Sequence, residues 1–179
     1  MKFVREESRP ISGDTGLFEI KALAEQNQFS SAPQPGRLHQ LDTSQAYVEH
    51  LLSYVDLAAL KPLTIVVDAG NGGAGLAIDK LESELPFKFI KLNHQPDGNF
   101  PNGVPNPLLL ENRHATIAAV RAHGADMGIA WDGDFDRCFF FDENGEFIEG
   151  YYVVGLLAAA FLQQRPGSSI VHDPRLTWN

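Results

Sequence analysis

Three aspartates, Asp132, Asp134 and Asp136, alternate with Gly133 and Phe135, and Arg137 follows them directly. Carboxylates crowded this closely repel one another and are costly to desolvate unless a cation sits among them. Hard oxygen donors of this kind select Mg²⁺ or Ca²⁺ over zinc or copper. The flanking runs 127–131 and 138–141 are apolar, rich in aromatics and too short for helices. They read as buried strands, with the aspartates in the loop that joins them. A solvated turn would leave the same alternation pointing into water, but solvated turns are seldom pinned between two apolar strands. An EF-hand is the nearest decoy, since Asp132, Asp134, Asp136 and Glu143 fall at its positions 1, 3, 5 and 12. Arg137 stands where that loop requires glycine, and neither flank reads as a helix, so the EF-hand is rejected.

A second constellation precedes the first. Gly70, Gly72 and Gly75 match G-x-G-x-x-G between an apolar β-branched run, 63–67, and a helical stripe of Ala74, Ala77, Ile78, Leu81 and Leu85. That is the context of a dinucleotide fingerprint. The following strand, 87–92, ends in Leu92-Asn93, where a dinucleotide fold wants an acidic residue for the ribose. Asp68 and Asn71 also crowd the turn with polar side chains. A tight turn with close helix packing is therefore preferred, and no cofactor-binding residue is assigned. His94, His114, His123 and His172 are scattered without metal-ligand spacing and read as surface or core residues. No serine or threonine has a base motif beside it, so no covalent chemistry is readable.

The elements around these motifs follow in order. Lys2-Phe3-Val4 reads as a strand end, 12–16 as a loop and 17–27 as a short amphipathic helix with Ile20, Leu23 and Ala24 on one side. Residues 30–36 form a linker. Residues 42–60 read as a long helix with Val48, Leu51, Leu52, Val55, Ala58 and Ala59 inward, opened by an Asp42–Gln45 capping box. The strand–turn–helix–strand series over 63–92 predicts a βαβ unit. A turn-rich loop covers 95–108, a weaker helix covers 109–123 with Gly124 as its C-cap, and a turn falls at 142–145. A last helix spans 151–164 with Val154, Leu157, Phe161 and Leu162 inward, ahead of a final strand at 169–172.

Composition sets further bounds. A hydrophobic content of 44% suits a globular domain, and a formal charge of −9 argues against binding the nucleic-acid backbone. No run is long enough to span a membrane, and the opening Met1-Lys-Phe-Val-Arg-Glu-Glu lacks the apolar core of a signal peptide. The lone Cys138 reads as a small buried hydrophobe and fits a reducing cytoplasm.

Asp-Gly-Asp-Phe-Asp-Arg, 132–137, after Gly-Ala-Asp-Met-Gly-Ile-Ala resembles the metal-binding loop of the α-D-phosphohexomutases, of the bacterial phosphomannomutase and phosphoglucomutase kind. Val-Val-Asp-Ala-Gly-Asn-Gly at 66–72 resembles the opening of that family's second domain. The resemblance also covers 1–14, 96–112 and 172–179. It implies an α/β fold, a mixed sheet flanked by helices, with 1–40 the tail of a first domain and linker, 41–146 the second domain, and 147–179 the start of a third. It implies that Asp132, Asp134 and Asp136 hold Mg²⁺ and that Arg137 contacts the transferring phosphoryl group. The implied enzyme interconverts mannose 6-phosphate and mannose 1-phosphate, or the glucose phosphates, through a phosphoserine and a bisphosphorylated sugar. By the same resemblance the serine lies upstream of Met1, and the sugar-reading loop and fourth domain lie beyond Asn179. The chain alone is then expected to be inactive and to self-associate through uncovered domain faces. The competing expectation is a non-enzymatic metal-binding module.

Overall fold

Five strands build one sheet in the order β2-β1-β3-β4-β5. They are β1 (Thr64–Asp68), β2 (Lys88–Leu92), β3 (Met127–Trp131), β4 (Cys138–Phe141) and β5 (Phe147–Ile148). β1, β2 and β3 are parallel, while β4 and β5 complete the sheet antiparallel. This computed structural model describes residues 3–30 and 32–173. The chain divides into two compact units, Met1–Asp42 and Thr43–Asn179, and the sheet belongs to the second. The expected α/β architecture, a mixed sheet flanked by helices, is what the structure shows.

Each face of β1 is covered. Ile65 and Val67 pack with Ile78 of α3 (Ala74–Leu81), and Phe89, Ile129 and Trp131 join them. Val66 packs with Val120 of α4 (His114–His123) and with Ala125. A strand buried on both faces needs no polar alternation, which is why Ile65, Val66 and Val67 are consecutive apolar residues. Gly128 in β3 is glycine for a packing reason. A Cβ there would press on Val120, on Thr116 at 3.2 Å and on Phe141 at 3.3 Å. α4 ends in Gly124 at φ 54°, the left-handed C-cap expected at that residue.

Several expectations are corrected. The long helix over 42–60 is two pieces, α2 (Ser44–Leu52) and a 3₁₀ turn at Leu57–Ala59, separated by an Asp56 whose carboxylate accepts from Ala58 N–H at 3.0 Å. Asp56 offers the backbone a local cap, and that competes with helix continuation. Of the proposed stripe only Val48 is buried, and Val55, Ala58 and Ala59 are exposed. The capping box does not form: Thr43 is the N-cap, and the Gln45 amide donates instead to Glu49 at 2.9 Å. Leu110–Arg113 is a 3₁₀ turn leading into α4 rather than part of it, and Leu109 is extended.

α5 (Gly150–Gln164) exists, but Leu157 and Phe161 are 51% and 60% exposed, and none of its residues is buried. The segment carries no charged side chain, so its sequence marks no outer face. Its Tyr152, Val153 and Leu156 instead border an apolar hollow of about 300 Å³ with Met127, Phe140 and Ile148. The final strand at 169–172 is absent: those residues pair with no strand among the described residues, and Val171 is 96% exposed. Cys138 is exposed rather than buried, because β5 pairs only with Phe140 and Phe141 and leaves the start of β4 uncovered on that side. Partial burial of its sulfur still pushes the thiol pKa up.

In the first unit, α1 (Leu17–Glu25) is present, preceded by a 3₁₀ turn at Gly13–Thr15 that Ser12 and Thr15 close by mutual capping. Ile20 and Leu23 on its apolar side are 36% and 47% exposed. Val4 makes an isolated antiparallel bridge to Pro10, which is all that remains of the expected strand end, and Lys2 lies outside the described residues. Of the expected linker over 30–36, residues 30 and 32–36 carry no helix or strand, and residue 31 lies outside the described residues.

Candidate metal centre

Parallel strands put their carboxyl ends on one edge, and in α/β sheets that edge is where ligands bind. Here β1 leaves it through the glycine turn, β2 through the 93–108 loop, and β3 through the aspartate loop. The last joins β3 to antiparallel β4 as a hairpin, with Trp131 opposite Cys138. Asp132 N–H donates to the Arg137 carbonyl at 3.3 Å and Phe135 N–H to the Asp132 carbonyl at 3.1 Å. Phe135 sits at φ 46°, an unfavourable left-handed backbone for an aromatic residue.

One oxygen from each of Asp132, Asp134 and Asp136 lies within 4.8 Å of the others. The three carboxylates are thus brought together as the sequence suggests. Asp132 is only 1% exposed, whereas Asp134 and Asp136 face solvent. Opposite corners of a Mg²⁺ octahedron lie about 4.2 Å apart and adjacent ones about 3.0 Å, given metal–oxygen distances of ~2.1 Å. The all-oxygen set could hold a divalent cation once its side chains draw in around it. The fourth EF-hand residue, Glu143, sits in the β4–β5 turn at the far end of β4.

Arg137 engages the same carboxylate. Its Nε donates to Asp132 Oδ2 at 2.8 Å, its terminal nitrogen lies 2.5 Å from that oxygen, and its backbone N–H reaches Oδ1 at 3.2 Å. Asp136 Oδ1 is 3.5 Å from Nε. Hydrogen bonding to Asp132, then the charge of Asp132, raises the guanidinium pKa. Asp132 is thereby charge-balanced, and the half-exposed guanidinium is held at the mouth of the loop.

The N–H groups of the glycine turn are directed into the protein. Gly70 N–H donates to Asp68 Oδ1 at 3.0 Å, Asn71 N–H to the Asn93 carbonyl at 2.7 Å, Gly72 N–H to the Ala69 carbonyl at 2.8 Å, and Gly73 N–H to the Gly133 carbonyl at 3.2 Å. Pyrophosphate cradling needs such N–H groups pointed outward; here all four serve the protein. Gly70 takes φ 56°, and a Cβ on it would overlap Pro105, while one on Gly75 would overlap the His94 carbonyl. Tight turn and close packing, the preferred sequence reading, describes this geometry.

What the sequence reading missed is the polar network behind the turn. Asp68 is buried and accepts from Asn93 Nδ2 at 3.0 Å and Thr116 Oγ1 at 2.9 Å, besides Gly70. Asn102 Nδ2 donates to both Asn71 Oδ1 and Asn93 Oδ1 at 2.9 Å, and Asn71 Nδ2 donates to the Gln95 carbonyl at 2.9 Å. The turn-rich loop at 95–108 is thereby tied over a cavity of about 190 Å³ whose polar lining includes Asp68, Asn93, Asn102 and Glu111. Its asparagines were the available signal. Arg113 anchors the loop's far end, donating to the Pro107 carbonyl at 2.7 Å with its guanidinium 3.5 Å above the Phe147 ring. Among the histidines, His94 is nearly buried, with Nε2 2.8 Å from Asp79, and His114, His123 and His172 are exposed.

An α/β unit with an acidic hairpin loop at its carboxyl edge could hold a metal ion, and comparison with known proteins places the unit in a family. The family described as phosphoglucomutase/phosphomannomutase, alpha/beta/alpha domain II, matches residues 45–145, and this chain belongs to that family. A Xanthomonas campestris protein named as phosphohexose mutases is 62% identical over 179 residues, and a Vibrio cholerae phosphomannomutase is 58% identical. Both alignments cover all of this chain and 40% of the relative, so the chain spans about two fifths of their length. The crystal structure of a phosphoglucomutase/phosphomannomutase family protein from Burkholderia thailandensis is similar with a TM-score of 0.71 and 34% identity, over 88% of this chain and 33% of that one.

Proposed function

We propose that this chain supplies the metal loop of a Mg²⁺-dependent phosphohexomutase. In this reading the enzyme interconverts mannose 6-phosphate and mannose 1-phosphate through a phosphoserine and a bisphosphorylated sugar. The observation that carries the proposal is the gathering of Asp132, Asp134 and Asp136 within 4.8 Å beside Arg137, in a chain of the phosphoglucomutase/phosphomannomutase family. When bound, Mg²⁺ neutralises charge on a transferring phosphoryl group, the usual part of a metal in such chemistry. Asp132, buried and held at both oxygens, is the fixed ligand, while Asp134 and Asp136 offer the ion solvent-exposed carboxylates. Arg137 keeps its guanidinium anchored on Asp132 yet half exposed, and so presents fixed positive charge to a phosphoryl oxygen.

The proposed layout places the tail of a first domain at 1–40, the second domain at 41–146 and the start of a third at 147–179. The sheet itself continues through Phe147–Ile148, and the compact unit begins at Thr43. Hexose phosphates are the proposed substrates, and the cytoplasm, where phosphorylated sugars and free thiols are kept, is the proposed location. A net charge of −9 suits neither nucleic acid nor an anionic membrane surface, and no helix among the described residues is long and apolar enough to cross a bilayer.

Phosphorus NMR of mannose 1-phosphate with Mn²⁺ as a paramagnetic substitute tests the reading. The phosphate line should broaden more with the chain present than with free Mn²⁺, and the excess should vanish in Asp134→Ala. Equal broadening with and without the chain would leave the loop as a metal site that no sugar phosphate approaches.

A further inference from the structure

The aspartate loop carries Phe135 in the left-handed region, a strained backbone for an aromatic residue. Besides the hydrogen bonds inside the loop, contacts from another part of the chain brace it. Gly73 N–H donates to the Gly133 carbonyl at 3.2 Å. Gly72 lies so close beneath Gly133 that a Cβ on Gly72 would overlap its carbonyl oxygen and its Cα. A Cβ on Gly73 would stand 3.1 Å from the Phe135 ring. On another side the Phe100 ring closes on Gly133, 3.1 Å from where a Cβ would be, with Pro105 at 3.7 Å.

We propose that Gly72 and Gly73 are positioning residues for the metal loop, forming with Phe100 a clamp on Gly133 and Phe135 that sets the spacing of Asp132, Asp134 and Asp136. The inference rests on the reading of that loop as the cation site and assigns a role to residues outside it. Gly133 is gripped between the first two ligands and Phe135 between the last two, so a shift at either contact changes the ligand spacing directly. The glycines at 72 and 73 are then required by the loop they touch, not by a bound dinucleotide. The asparagine network serves the same end, because Asn102 and Asn71 bind the Phe100-bearing loop to the glycine turn.

Gly73→Ala is the sharpest probe. Gly73 has φ −76° and ψ −19°, a backbone that alanine adopts freely, so folding should survive while the new methyl pushes on Phe135. Two readings are needed: Mg²⁺ affinity by calorimetry, and the backbone amide shifts of 132–137 by NMR without metal. Gly73→Ala should weaken Mg²⁺ about tenfold, the scale seen when a partner of a metal ligand is disturbed. It should also move the loop amides, with a melting temperature near that of the unaltered chain. Gly72→Ala should do more of the same. Ile78→Val, a mild truncation in the core of α3, should lower the melting temperature yet leave affinity and loop shifts unchanged. Unmoved loop amides in both alanine variants, or moved amides with unchanged affinity, would overturn the clamp. Absence of Mg²⁺ binding by the unaltered chain would instead sink the metal reading, and the amide shifts would still decide the clamp.

Discussion

Asp132 answers two demands at once. A buried carboxylate needs a counter-charge, and Arg137 supplies it through Oδ2 and, by its backbone, Oδ1. A cation entering the loop competes for the same oxygens. Replacing Arg137 by Gln should therefore lower the melting temperature of the metal-free protein and increase the rise that Mg²⁺ produces, since the ion then relieves an unpaired buried charge. A thermal shift series on both proteins checks this; an equal Mg²⁺ effect in the two would mean that Arg137 and the ion do not share Asp132. Thr116 is the corresponding case behind the turn. It is fully buried and donates to Asp68, so Thr116→Val leaves that carboxylate one donor short and should cost about 1–3 kcal/mol in urea unfolding. The gathering of the aspartates was legible because charge cannot be placed between apolar strands without a reason. The side-chain partners of Asp68 were not, because Asn93 and Thr116 lie far from it in sequence and each has many other uses.

At the scale of elements, legibility tracked how clearly a segment's own pattern marks its buried face. β1, β2, β3 and β4 fall within about a residue of their expected positions, whereas α3 starts where expected and stops at Leu81, short of Leu85 in its expected stripe. Each is short, strongly patterned and buried on the face its pattern marks. The helix over 42–60 was overread because apolar spacing continues past Leu52 while Asp56 caps a separate turn. In 150–164 the lack of any charge left the inward face undefined. β5 escaped notice because two residues give no period, and it is held by what surrounds it: Phe147 meets Phe141 edge-to-face at 5.5 Å and carries Arg113 on its ring. The β4–β5 turn is fixed by Asp142, whose carboxylate accepts from Glu146 N–H at 2.7 Å and Asn144 N–H at 2.9 Å. Chiefly the Glu146 bond, then that from Asn144, lowers its pKa below the ordinary 3.8. A depressed acid stabilises the fold above its unfolded-state value and loses that contribution as pH falls through the folded one. Asp142→Asn should thus melt lower than the unaltered chain above about pH 5, with the gap narrowing below ~pH 4. A gap that is constant with pH would show that the turn depends on the side chain's shape and not its charge.

For the whole molecule, exposed apolar surface and the cation site lead to separate expectations. Tyr152, Leu156, Leu157 and Phe161 of α5 are 65%, 72%, 51% and 60% exposed on a helix without charge. Contiguous surface of that kind drives association. Sedimentation velocity should show self-association that grows with concentration and is reduced by Leu156→Lys with Phe161→Lys; a monomer at all concentrations would show that the surface is tolerated. The central claim, that the chain is built to receive Mg²⁺ at its aspartate loop, is tested most directly by calorimetric titration of the metal-free chain. Three carboxylates fill half of an octahedral shell, and water supplies the rest. Together with the competition from Arg137, this predicts weak one-to-one binding, no tighter than about 1 μM, that Asp134→Ala abolishes while leaving the melting temperature nearly unchanged. Binding that persists in Asp134→Ala, or none in the unaltered chain, would contradict it.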